Sequence, residues 1–305
     1  MAKAVVMEGQ GRGPWHTARV VASIFKLRIG VEITLAMVAG VAVTPGTGIS
    51  PGQLAALALA VLLSSASAGA FNQYAERDLD ARMARTRKRP FATGELAPGA
   101  RWLALIALLL VAAVWLAAWA TNVAAAFQVF LGAITYGVVY TLWLKRRTWL
   151  NIVFGGFAGT FALLAGALAV DPQLRLEPAM LAIAMFFWTP PHFWSLALYN
   201  KQDYVDAGVP MLPAVASDRV TSQVILAHTV LLVAFSLVPA FTGLGPVYGI
   251  CAAAGGAWFL RCGVRLVRAP SRGAALANFR ASLVQLSLLL LGSIADGMLN
   301  GRLLT

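Results

Sequence analysis

The chain has 305 residues, of which 59% are hydrophobic and 12% are charged. A soluble domain of this length carries about twice that share of charged residues, so the composition excludes a soluble globular protein. The formal net charge of +12 could suggest nucleic-acid binding. The basic residues flank apolar segments, however, which is typical of a membrane protein, and we expect no nucleic-acid partner.

Nine apolar segments are long enough, or nearly so, to cross a hydrocarbon core that needs roughly 20 helical residues. They lie near residues 23–43, 52–72, 102–120, 123–143, 150–170, 178–197, 221–241, 245–265 and 280–299. If the N-terminus is cytoplasmic, every Lys and Arg except Arg175 and Arg302 falls on the cytoplasmic side, as the positive-inside rule predicts. The sequence therefore predicts an all-α integral membrane protein whose nine transmembrane helices surround a central cavity open to the cytoplasm.

The chain shows no linker, low-complexity tract or change of composition. We expect a cytoplasmic N-terminal tail over residues 1–19 and a single nine-helix domain over residues 20–305. The tail has no signal-peptide core and few of the basic residues of a mitochondrial transit peptide. These features favour a bacterial plasma membrane over a mitochondrial inner membrane.

Residues 72–89, NQYAERDLDARMARTRKR, concentrate charge in an otherwise apolar chain. Asn72, Glu76 and Asp80 are spaced at i, i+4 and i+8, which places them on one face of a helix, whereas Asp78 points elsewhere. Oxygen ligands suit Mg²⁺, and the guanidinium groups that follow suit phosphate oxygens. The pattern predicts a clamp for a magnesium-bound diphosphate; the alternative is a solvated, charged loop between two membrane helices.

Two further polar groups lie near the ends of predicted spans. Tyr199 and Asp203 are four residues apart with Lys201 between them, and they face the first group across a cavity if the second and sixth spans are neighbours. Lys145 and Arg146 follow the fourth span, with Tyr140 shortly before them. The alternative for these last basic residues is an ordinary positive-inside anchor.

The sixth predicted span contains Pro190 and Pro191, which we expect to break the helix. Such breaks are tolerated in membranes where they line a cavity or are covered by neighbours. His192 follows directly, flanked by Trp188 and Trp194, and aromatic faces can stack on a flat ligand or stabilise a cation. We expect these three side chains to contact a substrate; the alternative for the histidine is a structural residue.

Two acids lie within predicted spans, Glu32 in the first and Asp296 near the end of the last. Acids buried in a membrane are functional candidates by default, although Glu32 could equally pair with a nearby basic residue.

The motifs resemble those of a known family of membrane enzymes. The pattern N-x-x-x-[acid]-x-D-x-D followed by R-T-x-x-R-P is similar to the first signature of the UbiA superfamily of intramembrane prenyltransferases. The stretches WTPPHFWSLALYNKQDYVDAGVPMLP and YTLWLKRRTWLNIVFGG resemble its haem O synthase branch. The resemblance covers residues 20–300 and implies a nine-helix bundle.

The resemblance also implies a reaction, in which a farnesyl group passes from farnesyl diphosphate to a vinyl group of haem B and gives haem O. Mg²⁺ is the implied cofactor, with Asn72, Glu76, Asp80 and Asp203 as its ligands and as catalytic residues. Lys145 and Tyr140 complete the implied catalytic set. The implied substrate-binding residues are Arg85, Arg89, Arg146, Lys201, Tyr199, His192, Trp188 and Trp194. The lipid bilayer is a further partner, and the product suggests haem A synthase or oxidase assembly factors as others.

Two departures from the family pattern bear on the site. Position 76 is Glu where the family usually has Asp, so its carboxylate reaches one methylene further. Residues 159–169 lack a Pro pair and a Trp expected in this branch, so we expect a different shape of the acceptor cavity. Two alternatives stay open: a UbiA-type enzyme that prenylates a quinone precursor or another ring, and a membrane transporter. Transporters tend to show internal repeats, and none is evident here.

Overall fold

The computed structural model describes residues 14–46 and 48–304. Its helices are α1 (Pro14–Ile24), α2 (Leu27–Val43), α3 (Pro51–Ala75), α4 (Arg77–Asp80), α5 (Pro90–Thr93), α6 (Ala100–Ala120), α7 (Val123–Ile134), α8 (Asn151–Gly155), α9 (Phe157–Val170), α10 (Leu176–Tyr199), α11 (Lys201–Asp206), α12 (Leu212–Val215), α13 (Asp218–Thr242), α14 (Pro246–Arg268) and α15 (Arg272–Leu299). A π-helix, Thr135–Leu144, continues α7. Residues 1–13 of the predicted tail lie outside the described residues, whereas residues 14–19 belong to α1.

Eight helical segments among the described residues are long and apolar enough to cross a membrane, so the protein is a multi-pass membrane protein. The remaining predicted span, residues 23–43, is divided in the structure. α1 ends at Ile24, and Lys26, which precedes α2, has a left-handed backbone with φ of 48°. α2 has 17 residues, about the shortest length that can span the hydrocarbon core, so the ninth span stays a prediction.

The long helices form a closed ring of neighbours, in which each packs on the next in the sequence and α15 returns to α2. α2 also crosses α9 closely because glycines lie at the contact. A methyl group at Gly40 would overlap the carbonyl of Leu163, and one at Gly166 would overlap the carbonyl of Met37. The atypical residues 159–169 are therefore part of a regular helix whose small side chains permit this crossing.

The expectation that Pro190 and Pro191 break the sixth span is wrong, because α10 runs through both residues as one helix. Proline fixes φ at a value that a helix accepts, and its cost is the missing N–H and the crowding of the preceding turn. Here both residues are buried among neighbouring helices, which hold the segment in place.

Asp296, a candidate from its position in the last span, has a structural role. Its carboxylate accepts hydrogen bonds from the backbone N–H of Gly245 at 2.9 Å and of Tyr248 at 3.4 Å. It therefore caps the N-terminus of α14, where free N–H groups and the helix dipole favour negative charge. Glu32 is exposed on α2, with Arg28 one turn earlier as a nearby opposite charge.

Candidate active site

A cavity of about 500 Å³ lies at one end of the bundle, which we call the polar end because residues 72–101, 144–149, 199–219 and 265–280 meet there. Its charged lining residues are Lys26, Arg85, Lys88, Arg89, Lys145 and Asp80. Among the described residues, five basic side chains thus face one carboxylate. This excess of positive charge suits a ligand that carries several negative charges.

Asn72, Glu76 and Asp80 share one side of the chain, although α3 ends between them. The backbone N–H of Glu76 bonds to the carbonyl of Asn72 at 3.0 Å, and that of Asp80 to Glu76 at 2.7 Å, so helical i→i−4 bonding continues across the boundary. All three are buried, with at most 2% of their surface exposed. Asp78 points outward, and its side chain is 52% exposed.

A cation holds each of these three buried groups. Lys26 Nζ donates to Asn72 Oδ1 at 2.6 Å, and Lys145 Nζ contacts Glu76 Oε2 at 2.5 Å. The guanidinium of Arg89 donates to both oxygens of Asp80, at 2.8 and 2.9 Å. Polar and charged groups that are buried away from water need such partners. We call Asn72, Glu76 and Asp80 the Asn72 stripe, and each of its members is bound to one basic side chain.

The π-helix supplies the aromatic wall of the cavity. Tyr136 and Tyr140 both line it, and their rings stack with centroids 5.5 Å apart. Lys145, at the end of this helix, lies 5.6 Å from the Tyr140 ring centroid. Wide helical turns of this kind often occur at functional sites, and here the ten-residue π-helix positions two rings and the ammonium that meets Glu76.

Arg146 is placed outside the cavity rather than in it. Its two terminal nitrogens bond to the two carboxylate oxygens of Asp78 at 2.8 and 2.9 Å, and both side chains are about half exposed. The hydrogen bond from Arg146 lowers the pKa of Asp78 to about 2. The predicted contact between Arg146 and a substrate stays a prediction.

The second predicted group lies in a neighbouring hollow of about 680 Å³, which contains Tyr199, Lys201 and Asp203 and shares Arg85 with the first cavity. Lys201 pairs with Asp218 at 2.7 Å. Arg272 lies over the Tyr199 ring, 4.4 Å from its centroid. The structure does not bring Asp203 to the Asn72 stripe, and among the described residues no three His, Cys, Asp or Glu side chains form a metal-binding group.

His192, Trp188 and Trp194 lie inside the bundle. His192 Nδ1 is 2.7 Å from Ser282 Oγ, and its ring stacks on Trp188 at 4.2 Å. Trp194 is fully buried in a hydrophobic cluster. Helical spacing explains the arrangement: Trp188 and His192 share a face directed at α15, whereas Phe193 is turned towards the cavity and lines it.

Sequence reasoning missed three residues that the structure brings to the cavity, Lys26, Tyr136 and Tyr204. Lys26 sits at the break between α1 and α2, and besides Asn72 its ammonium donates to the Tyr136 hydroxyl at 3.2 Å. Tyr204 is buried in the wall beside Arg85, and burial raises its pKa. A lysine at the start of an apolar segment was the available signal for Lys26, but positive-inside topology accounted for it equally well.

An apolar slot continues from the cavity into the bundle. It shares Lys26, Ile29 and Tyr136 with the cavity and passes between α2, α3, α7 and α9. Small residues such as Ala68 and Gly132 line it. A ligand with a charged head and an apolar chain could therefore place both parts in contact with the protein.

Together, the fold and the site define a multi-pass membrane protein with an electropositive cavity at the polar end of the helical bundle. The UbiA prenyltransferase family model matches residues 33–289. The chain therefore belongs to the UbiA prenyltransferase family and is an enzyme.

Relatives and solved structures agree with this assignment. The chain is 56% identical over 283 residues to "Protoheme IX farnesyltransferase 2" of Paramagnetospirillum magneticum, covering 93% of this chain and 98% of the relative. A UbiA homologue from Aeropyrum pernix superposes with a TM-score of 0.71 at 18% identity, over 90% of this chain and 98% of that one. A UbiA homologue from Archaeoglobus fulgidus bound to GPP and Mg²⁺ gives 0.65 at 13% identity, over 90% and 99%.

Proposed function

We propose that the protein transfers a farnesyl group from farnesyl diphosphate to a vinyl group of haem B and thereby makes haem O. The observation that carries the proposal is the cavity in which five cations and one carboxylate meet at the polar end of a prenyltransferase fold. The name of the 56% identical relative supports the haem acceptor and the farnesyl donor. The Archaeoglobus structure supports a prenyl diphosphate as the ligand of this fold.

The residues present fit a divalent cation. Asn72 and Asp80 line the cavity with oxygen donors, and Glu76 Oε1 is buried with no hydrogen-bond partner among the described residues. Mg²⁺ commonly takes one or two carboxylates from the protein and completes its shell with substrate phosphates and water, so a small ligand set is sufficient. When bound, the ion would neutralise the diphosphate and make it a better leaving group.

The protein's own residues bind and orient the donor. Arg89 and Lys145, now paired with Asp80 and Glu76, are placed to contact diphosphate oxygens. Arg85 adds a further charge, and it forms no salt bridge with an acid of residues 14–46 or 48–304. These cations stabilise negative charge as it develops on the departing diphosphate. Lys26 marks the point where the charged head would end and the prenyl chain would enter the apolar slot.

The aromatic wall is placed to stabilise the allylic cation, which is the second product when the bond between the prenyl group and the diphosphate breaks. The stacked rings of Tyr136 and Tyr140 and the ring of Phe193 line the same cavity. Aromatic faces stabilise a cation, so these rings would protect the allylic cation until the vinyl group attacks it. Water then adds to the carbocation left on the former vinyl group, supplies the hydroxyl group of haem O and loses a proton. Tyr140 is accordingly proposed as a catalytic residue. Asp203, in the adjoining hollow, is proposed to approach the diphosphate from the opposite side.

We also propose the orientation in the membrane. α2 serves as the ninth span, the N-terminus and the polar end face the cytoplasm, and residues 20–305 act as one domain in a bacterial plasma membrane. The distribution of Lys and Arg supports this orientation.

The test is to express the chain in bacterial membranes that make haem B but no haem O, and to identify the extracted haems by mass spectrometry. We expect a farnesylated haem from the wild type and none from Asp80→Asn. Asp78→Asn is the matched control, because it changes an exposed carboxylate two residues away and should keep full activity.

The outcomes separate the parts of the proposal. A prenylated phenol with unchanged haem would show that the acceptor is wrong while the family chemistry holds. Full activity in the presence of EDTA would contradict the role given to Mg²⁺. Equal loss of activity in Asp78→Asn and Asp80→Asn would contradict the assignment of the buried stripe.

A further inference from the structure

We propose that the polar ends of α14 and α15 form a binding site for the headgroup of an anionic phospholipid. A hollow of about 360 Å³ lies between the two helices. The guanidinium groups of Arg261, Arg265 and Arg280 line it, and no acidic side chain of the described residues does. The hollow shares no lining residue with the cavity of the candidate active site.

Helical spacing brings the lining side chains together. Trp258, Arg261 and Arg265 lie at i, i+3 and i+7 on α14, which is one face over two turns. Ala277 and Arg280 lie three residues apart on the opposing face of α15. The small side chain of Ala277 leaves room between the helices, so three guanidinium groups can reach a single ligand.

These three arginines differ from Lys145 and Arg89 of the candidate active site in having no carboxylate partner among the described residues. Lys145 and Arg89 are held by Glu76 and Asp80, whereas no ion pair joins any of the three to a described acidic residue, over residues 14–46 and 48–304. The sole aromatic contact found for them there is from Arg261, 5.9 Å from the ring centroid of Trp258. The planar guanidinium group of arginine donates two parallel hydrogen bonds to phosphate oxygens, so the phosphate group of a bound ligand would supply the missing acceptors.

The surroundings indicate a lipid as the source of that phosphate. Trp258 is 50% exposed and Val284 is 47% exposed on the outer surface of the bundle, where acyl chains lie. Tryptophan is enriched at the membrane–water interface. Arg272, which begins α15, contacts Tyr199 at the polar end. Arg265 lies in the last turn of α14, so the hollow begins near that end of the bundle. Basic pockets between transmembrane helices at this level suit anionic headgroups.

The test is native mass spectrometry of the full chain in detergent with added cardiolipin, phosphatidylglycerol or phosphatidylcholine. We expect the two anionic lipids to remain bound and phosphatidylcholine to be lost. The triple variant R261Q/R265Q/R280Q should bind them roughly 100-fold more weakly, since each of the three basic groups contributes about a fivefold factor. The matched control R101Q/R219Q/R268Q removes the same charge from exposed arginines outside the hollow and should bind like the wild type.

A second variant keeps the charge and fills the hollow. Ala277→Trp should weaken lipid binding, and a thermal unfolding curve like that of the wild type shows that each variant is folded. Equal weakening in the two triple variants, or wild-type binding in Ala277→Trp, would overturn the proposal. Displacement of the lipid by inorganic phosphate would assign the hollow to a free anion, and displacement by farnesyl diphosphate would assign it to the substrate; either result also overturns it.

Discussion

Two charged regions meet at the polar end of the bundle, and they differ in burial. In residues 72–89, Glu76 and Asp80 are at most 2% exposed, and each is paired with a cation. In residues 199–218, the pair between Lys201 and Asp218 has side chains that are 39% and 50% exposed. The first region is therefore fixed by its burial, whereas the second remains largely in contact with water.

The difference shows how one site can combine a rigid part with an adaptable one. Buried charges are costly unless their partners are held in good geometry, so the first region is preorganised for a polyanion. An exposed ion pair contributes only about 0–1 kcal/mol, so Lys201 and the nearby Asp203 can change position at small cost when a ligand binds. Arg85, which lines both hollows, connects the two regions.

The largest expected effect compares one carboxylate from each region. Asp80→Asn should reduce prenyl transfer by about 10³-fold, because the preorganised acid is lost and Arg89 loses its partner. Asp203→Asn should reduce it by roughly tenfold, since that side chain contributes only after the exposed region has moved. Single-turnover rates with saturating farnesyl diphosphate measure both. Equal losses of activity would contradict the claim that residues 72–89 are preorganised for the substrate and residues 199–218 are not.

The next effect concerns stability rather than activity. Glu76→Gln leaves Lys145 inside the protein without its partner and should lower the free energy of unfolding by about 3 kcal/mol. Asp218→Asn, which breaks the exposed pair with Lys201, should change it by at most about 1 kcal/mol. Thermal unfolding in the same detergent provides the measurement. A destabilisation by Asp218→Asn as large as that by Glu76→Gln would contradict the role given to burial.

A smaller effect is expected at Lys26, which extends the first region to α2. Lys26→Met removes an ammonium that contacts both Asn72 and Tyr136, and it should raise the KM for farnesyl diphosphate by roughly 10- to 100-fold. Because the residue contacts the donor side of the site, the KM for haem should stay within about twofold. Steady-state kinetics with each substrate varied separately distinguish the two, and an equal rise in both would indicate general disruption. Arg28→Met is the control, because that side chain is exposed two residues further on, in the first turn of α2.

The smallest effect belongs to the exposed pair of Asp78 and Arg146 inside the first region. The pKa of Asp78 is lowered to about 2, below its ordinary value of 3.8, so the pair stabilises the folded state above about pH 4 and loses this contribution as the pH falls towards 2. Asp78→Asn should therefore cost less than about 1 kcal/mol at pH 7. The difference from the wild type should vanish near pH 2, as thermal unfolding across pH would show. A difference that grows as the pH falls would contradict this assignment.

The candidate site was predictable where local spacing decides it. The i, i+4, i+8 spacing correctly separated three buried groups from Asp78, because helical bonding continues through Glu76. The same reasoning could not predict which face of α10 points to the cavity, because every face of a helix in such a bundle is apolar. A rotation by one residue is enough to place Phe193 rather than His192 in the cavity wall. Sequence reasoning also gave no sign that Lys26 would reach Asn72, as the two lie 46 residues apart.

The sequence by itself determined the membrane character, the position of the spans after the first, and the residues that belong to the UbiA signature. It did so because apolar length and helical period are local properties of the chain. The tertiary structure alone decided which cation meets which acid, that Asp203 lies in a separate hollow, and that three arginines on α14 and α15 have no acidic partner among the described residues. These features depend on distances between helices far apart in the chain, and those distances follow from packing.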